Sequence, residues 1–157
     1  MMKDLRLWIA AIALVVCLVF SSTTLIFAGT VGPDEDGAYR PTIYINDEKY
    51  SLGGIIPPSG STLVPFRALF DALKIEASFD NTTKTLTAVN DDLTLSLTAG
   101  QMYGFINDEK IALTQGPALT DEGVLYVNLR FIAEAYGAVV AFDKEALSIA
   151  IHFPENS

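Results

Sequence analysis

The sequence predicts an α+β domain made of two hairpin-helix-hairpin repeats related by an approximate twofold, with antiparallel β-sheets packed on two short helices. Three observations carry this expectation. The stretch Leu63-Val64-Pro65-Phe66-Arg67-Ala68-Leu69-Phe70-Asp71 returns 63 positions later as Tyr126-Val127-Asn128-Leu129-Arg130-Phe131-Ile132-Ala133-Glu134. Each copy is followed by an alternating apolar strand that ends in Phe-Asp, at Phe79-Asp80 and Phe142-Asp143. Upstream of each copy stands the same Ile-Asn-Asp-Glu-Lys, at 45–49 and 106–110, flanked by β-branched and aromatic residues.

The helices follow from periodicity. Phe66, Leu69, Phe70 and Leu73 fall at i, i+3, i+4 and i+7, and Leu129, Ile132, Ala133 and Tyr136 occupy the same frame, so one face of each is core. Pro65 suits a first helical turn, where its missing N–H is harmless, and Asn128 replaces it in the second copy. Gly137 suits a left-handed cap after the second helix, a place held by Lys74 in the first. The hairpins are predicted at Asn46-Asp47 and Asn107-Asp108, residue types that tolerate positive φ between strand-forming runs. Further strands are expected over 75–79, 84–89, 138–142 and 147–151. Leu93 to Thr98 alternates strictly and bridges the halves, giving about ten short strands in all. Pro57-Pro58 bars continuous pairing in the loop before the first helix. Gly60 and Gly123 share a repeat position and predict tight turns there.

Of 157 residues, 1–28 have the layout of an export segment: Lys3 and Arg6 precede an apolar run from Leu7, and Ala28 offers a cleavage point. Uncleaved, the same run spans 22 residues and is long enough for a membrane anchor. Either way the remainder is expected outside the cytoplasm, with the membrane a partner only through an uncleaved segment. Residues 29–41 mix Gly, Pro and charge without periodicity and are expected as a flexible linker, with Asp34-Glu35-Asp36 a solvated tail. The folded domain is expected over 42–153, as repeats 42–98 and 102–153, with 154–157 a tail.

Without residues 1–28 the chain holds 8 basic and 18 acidic residues, a formal charge of −10. Such acidity argues against a nucleic-acid partner, whose phosphates select a basic patch. The single cysteine, Cys17, lies in the export segment, so stability must come from packing rather than disulfides. One histidine, His152, and no further cysteine leave no transition-metal set, and no cofactor is expected. No Gly-x-Ser-x-Gly or Ser-x-x-Lys nucleophile motif is present.

The residues that invite a functional reading are Arg67 and Arg130, since an arginine beside an apolar stripe can clamp a carboxylate or phosphate. A structural reading is simpler. Asp71 and Glu134 stand at i+4 to them, and Asp80 and Asp143 offer carboxylates where the strand returns alongside. Pro65, Arg67, Asp71, Asp80, Arg130, Glu134 and Asp143, with Gly60 and Gly123 in the preceding loops, are therefore expected as a structural motif fixing helix against sheet. Tyr39, Tyr44, Tyr50, Tyr103 and Tyr126 are candidates for a sugar or peptide platform, although most such rings pack within strands.

On these motifs the chain resembles the copper amine oxidase N-terminal domain family, also called the stalk domain. That family pairs a hairpin Asn-Gly-Lys with Gly-x-Thr-x-Val-Pro-x-Arg, a helix ending Glu-Ala-x-Gly and a strand with Trp-Asp. Ile45 to Lys49, Gly60 to Arg67 and Phe79-Asp80 stand in those places, and the resemblance covers about 42–153. Asp47 and Asp108 depart from the hairpin glycine, Phe79 and Phe142 from the tryptophan, and Asn128 from the second proline. The resemblance implies an accessory module of exported Gram-positive bacterial proteins, with an interaction or spacer role at the cell surface. Oxidase chemistry would need three copper-binding histidines and a quinone-forming tyrosine in an Asn-Tyr-Asp/Glu setting, so neither copper nor amine oxidation is expected. The function expected is a non-enzymatic binding or scaffolding module at the cell envelope, its partner a cell-wall polymer or envelope protein. The alternatives are a small envelope hydrolase using paired carboxylates, or a regulatory partner of another exported protein.

Overall fold

The computed structural model describes residues 33–90 and 92–154; the export segment expected over 1–28 lies outside them. Among the described residues the chain forms twelve strands and two short helices. β1 (Thr42–Ile45) and β2 (Glu48–Tyr50) form the first hairpin, and β3 (Leu63–Pro65) runs into helix α1 (Phe66–Leu73). A meander follows: β4 (Ala77–Asp80), β5 (Thr85–Val89), β6 (Thr94–Thr98), β7 (Tyr103–Ile106) and β8 (Glu109–Ala112). Then come β9 (Ala118–Leu119), β10 (Leu125–Asn128), helix α2 (Leu129–Ala135), β11 (Val139–Asp143) and β12 (Ser148–His152).

The sheets combine distant parts of the chain: one has order β11-β12-β1-β2, a second β3-β10-β9 and a third β4-β5-β6-β7-β8. The architecture is α+β with strand dominating. The expectation of purely antiparallel sheets is corrected, because β1 runs parallel to β12, with Ile43 beside Ile149 and Ile45 beside Ile151. Parallel neighbours need a long connection, and here that connection is nearly the whole domain. The sheets are also unequal: β6 lies between the hairpins β4-β5 and β7-β8, whereas β12 meets β1 directly. β3 and β10 pair antiparallel, with Val64 opposite Val127.

Local chemistry explains the elements. Asn46 and Asn107 both have φ 47°, and Asp47 and Asp108 both have φ 67°, the two positive values that a two-residue hairpin turn of matching twist requires. Aspartate therefore fills the hairpin position without changing the turn. Each turn asparagine also ties its hairpin to a neighbour: Asn46 Oδ1 accepts from the Phe153 N–H at 2.9 Å, and Asn107 Oδ1 from that of Thr94 at 2.8 Å. Gly60 and Gly123 have φ 84° and 81° and donate to the carbonyls of Pro57 and Thr120, each at 2.9 Å. They close β-turns as fourth residues, a place that favours glycine.

The helices bury the predicted face. Phe66, Leu69 and Phe70 of α1 and Leu129, Ile132 and Ala133 of α2 join one core with Ile43, Val64, Leu86, Leu95, Val127 and Ile151. Leu73 and Tyr136 close the same frames at its margin. Pro65 is the N-cap of α1, so Arg67 is the second helical residue. Asn128 caps α2 by accepting the Phe131 N–H at 3.1 Å, which satisfies one of the helix's free donors.

The segment 33–40, expected as part of a flexible linker, packs on the domain. Ala38 is buried and Tyr39 pairs with Ile56. Asp34 and Asp36 remain exposed and bond the Arg40 guanidinium within the same segment. Composition gave no sign of the packing, since its contacts are made with a loop some twenty residues away. No helix among the described residues is long and apolar enough to cross a membrane.

Candidate functional site: a groove beside a free sheet edge

β11 is an edge of its four-stranded sheet, and its inward residues Val140 and Phe142 form one wall of a groove of about 430 Å³. The opposite wall is the loop Ser59-Gly60-Ser61-Thr62, and the floor is Ile56, Leu129 and Ile149. That volume lies within the range of small-ligand sites. Thr114, Asn128 and Arg130 also line a smaller hollow of about 150 Å³ that reaches Phe131 and Glu134. These three residues form the divide between the two.

Asn128 is the only buried polar residue among those described. Its Oδ1 is committed to the helix, and its Nδ2 donates to Thr114 Oγ1 at 3.2 Å. Thr114 Oγ1 in turn lies 3.4 Å from Ser61 Oγ. One asparagine thus caps α2 and anchors a chain of hydroxyls that reaches the groove's far wall. A buried amide satisfied on both ends is rigid, so this part of the groove is preformed.

Arg130 extends from the first turn of α2 across to the sheet. Its Nη1 donates to Glu134 Oε1 at 3.0 Å and to the Val140 carbonyl at 2.9 Å. The second bond joins helix to sheet and covers a carbonyl on the edge strand, which discourages another strand from pairing there. Nε and Nη2 have no acceptor among the described residues, and the side chain is 52% exposed. Arg130 is also the only charged residue lining the larger groove.

The other sequence-predicted residues are dispersed. Arg67 forms no ion pair with Asp71; its guanidinium lies 5.0 Å from the centre of the Phe66 ring. Asp71 is exposed beside Lys74 in a separate surface hollow. Neither Asp80 nor Asp143 reaches an arginine. Asp80 Oδ1 accepts from the Thr82 and Thr83 N–H groups at 2.7 and 3.4 Å, and Asp143 Oδ1 from those of Glu145 and Ala146, both at 2.9 Å. Each aspartate ends a strand at a hairpin turn, where a short carboxylate reaches its own following backbone before it can cross to a helix. The bond from Thr82 N–H holds the Asp80 carboxyl below its ordinary value. Pro65 lies opposite Tyr126 on the central ribbon, and Gly123 closes its turn outside the groove. Only Gly60, Arg130 and, at its far end, Glu134 of the predicted set meet here.

Asn128, Thr114, Ser61 and Phe142 were not singled out as site residues. Asparagine in place of proline before α2 was the available signal, because asparagine is a strong N-cap and proline offers no side-chain acceptor. Among the described residues no three His, Cys, Asp or Glu side chains gather. The groove offers an apolar floor, an exposed ring at Phe142, hydroxyl groups and one cation, a set suited to holding a ligand.

The family model for the copper amine oxidase N-terminal domain matches residues 42–151. The chain belongs to that family. The match takes in β1 through most of β12, hence both helices and all three sheets. No match was found among curated proteins. The family is a non-catalytic domain.

Proposed function

We propose that this copper amine oxidase N-terminal domain is an exported, non-enzymatic binding or scaffolding module of the bacterial cell envelope, and that the groove beside β11 is its binding site. The groove's lining carries the proposal: concave, apolar at its floor and polar at its rim, it holds an arginine but no carboxylate in its larger part. Glycoside hydrolysis by paired carboxylates needs two such groups facing one bond. Asp71, Asp80 and Asp143 instead face solvent or their own turns, which favours binding over hydrolysis.

The scaffold consists of two halves related by an approximate twofold through the β3-β10 ribbon. Support comes from the register: Val64 and Val127, equivalent in the repeated motif, lie opposite each other, and Leu63 and Pro65 face Asn128 and Tyr126. A twofold between antiparallel strands produces such self-pairing.

Sedimentation of the purified protein with isolated cell wall tests the reading. Retention on cell wall above that of a charge-matched acidic control is expected, with loss of retention in a Phe142→Asp variant that places a charge on the groove wall. Equal recovery of protein and control would count against the binding role.

A further inference from the structure

Resting on the reading of this groove as a binding site, we propose that its ligand is the C-terminal carboxylate of a peptide whose last side chain is apolar. Charge is the first argument. In a chain of net charge −9, the larger groove is lined by a single charged residue, Arg130, and by no acid. Glu134, which lines only the smaller hollow, offsets part of this charge, and within the larger groove a cation with no acid in the lining favours an anion.

The second argument is the arginine's geometry. Glu134 and Val140 both bond Nη1, which fixes the plane of the guanidinium and leaves the Nε–Nη2 edge without a protein acceptor among the described residues. That edge is the two-pronged donor that matches a carboxylate. An arginine already oriented by two bonds loses less freedom when a ligand docks on it.

The third argument is the surroundings. Leu129 and Ile149 supply an apolar floor beside the cation, Val140 adds an apolar wall, and Phe142 on that wall is 45% exposed. A ligand joining a carboxylate to an apolar group within a few bonds fits this arrangement, as a peptide's last residue does. Ser59 and Thr62 also line the groove, and hydroxyl groups of this kind can serve the peptide's amide groups.

Titration calorimetry on the full chain tests this with two probes, N-acetyl-Ala-Ala-Phe bearing a free carboxylate and the same peptide as its C-terminal amide. The free acid is expected to bind at least about tenfold tighter, the scale of one lost charge-assisted contact. Arg130→Gln should abolish the preference for the acid. Glu134→Gln should strengthen acid binding, because it removes the nearest negative charge while leaving Arg130 in place. This second variant keeps the test meaningful if Arg130→Gln folds poorly. Equal affinity for acid and amide, no binding of either peptide, or a weaker acid complex in Glu134→Gln would each overturn the proposal. Retention on cell wall alongside any of these results would leave the envelope role standing and remove only the carboxylate.

Discussion

Arg67 and Arg130 occupy the same place in two similar sequence stretches, yet their surroundings differ. Arg130 joins α2 to β11 through the Val140 carbonyl, while Arg67 rests on Phe66 and makes no comparable bond. A net hydrogen bond contributes about 1 kcal/mol, and an exposed i,i+4 ion pair about 0.3–0.5 kcal/mol. Arg130→Ala should therefore lower unfolding free energy by about 1–1.5 kcal/mol. Arg67→Ala, losing an exposed cation–π contact, should change it by about 0.5 kcal/mol or less. Urea denaturation of both variants checks this, and equal losses would show that the bond to Val140 contributes nothing. Asp80 carries a pH dependence of definite sign. Its carboxyl is held below 3.8, chiefly by the Thr82 N–H. A depressed folded-state value gives stability that is present above the unfolded value and lost as pH falls through the folded one. Asp80→Asn keeps an acceptor for Thr82 but cannot titrate, so its stability should fall less steeply below about pH 4 than that of the parent protein. Parallel acid limbs for the two proteins would refute this assignment.

At the level of elements, both helices end in the same hydrogen-bond pattern. Ile75 N–H reaches the Phe70 carbonyl and Ala138 N–H the Ala133 carbonyl, each at 3.0 Å. The residue in the left-handed position is Lys74 in one and Gly137 in the other, with φ 56° and 84°. A side chain there is strained by about 1 kcal/mol, which glycine avoids at some loss of unfolded-state order. Lys74→Gly is expected to raise the urea midpoint at unchanged slope, corresponding to a gain of about 0.5 kcal/mol, while Gly137→Ala lowers the midpoint, corresponding to a loss of about 1 kcal/mol. A Lys74→Gly variant less stable than the parent would mean that the lysine side chain compensates for its backbone. These caps were legible in the sequence, as were the helix faces and the Asn-Asp turns, because each depends on residues within one or two turns of chain. β9, the bridge from Tyr39 to Ile56 and the parallel contact of β1 with β12 were not legible, since they depend on where distant segments meet. The candidate site divides the same way. Gly60 and Arg130 stood out as members of a repeated motif, whereas Thr114, Asn128 and Phe142 come together only when a loop, a helix start and an edge strand converge.

For the molecule as a whole, the parallel contact between β1 and β12 has the largest consequence. Chain ends ordinarily fray and tolerate change, but here the last described strand fills the middle of a sheet, with β1 on one side and β11 on the other. Ile151 is fully buried and lies beside Ile45 and opposite Val140. It belongs to the same core as Leu86 and Leu95 of the five-stranded sheet, so the two sheets should unfold as one cooperative unit. Ile151→Ala, in the last described strand, should cost about 2–5 kcal/mol, the range for truncating a core isoleucine. Native-state hydrogen exchange discriminates this from local fraying. In a single unit, the slowest amides of β5 and β6 lose as much protection as those of β1 and β12. Faster exchange confined to β1, β11 and β12 would show instead that the five-stranded sheet is stable without its partner, and that the shared core does not couple the halves.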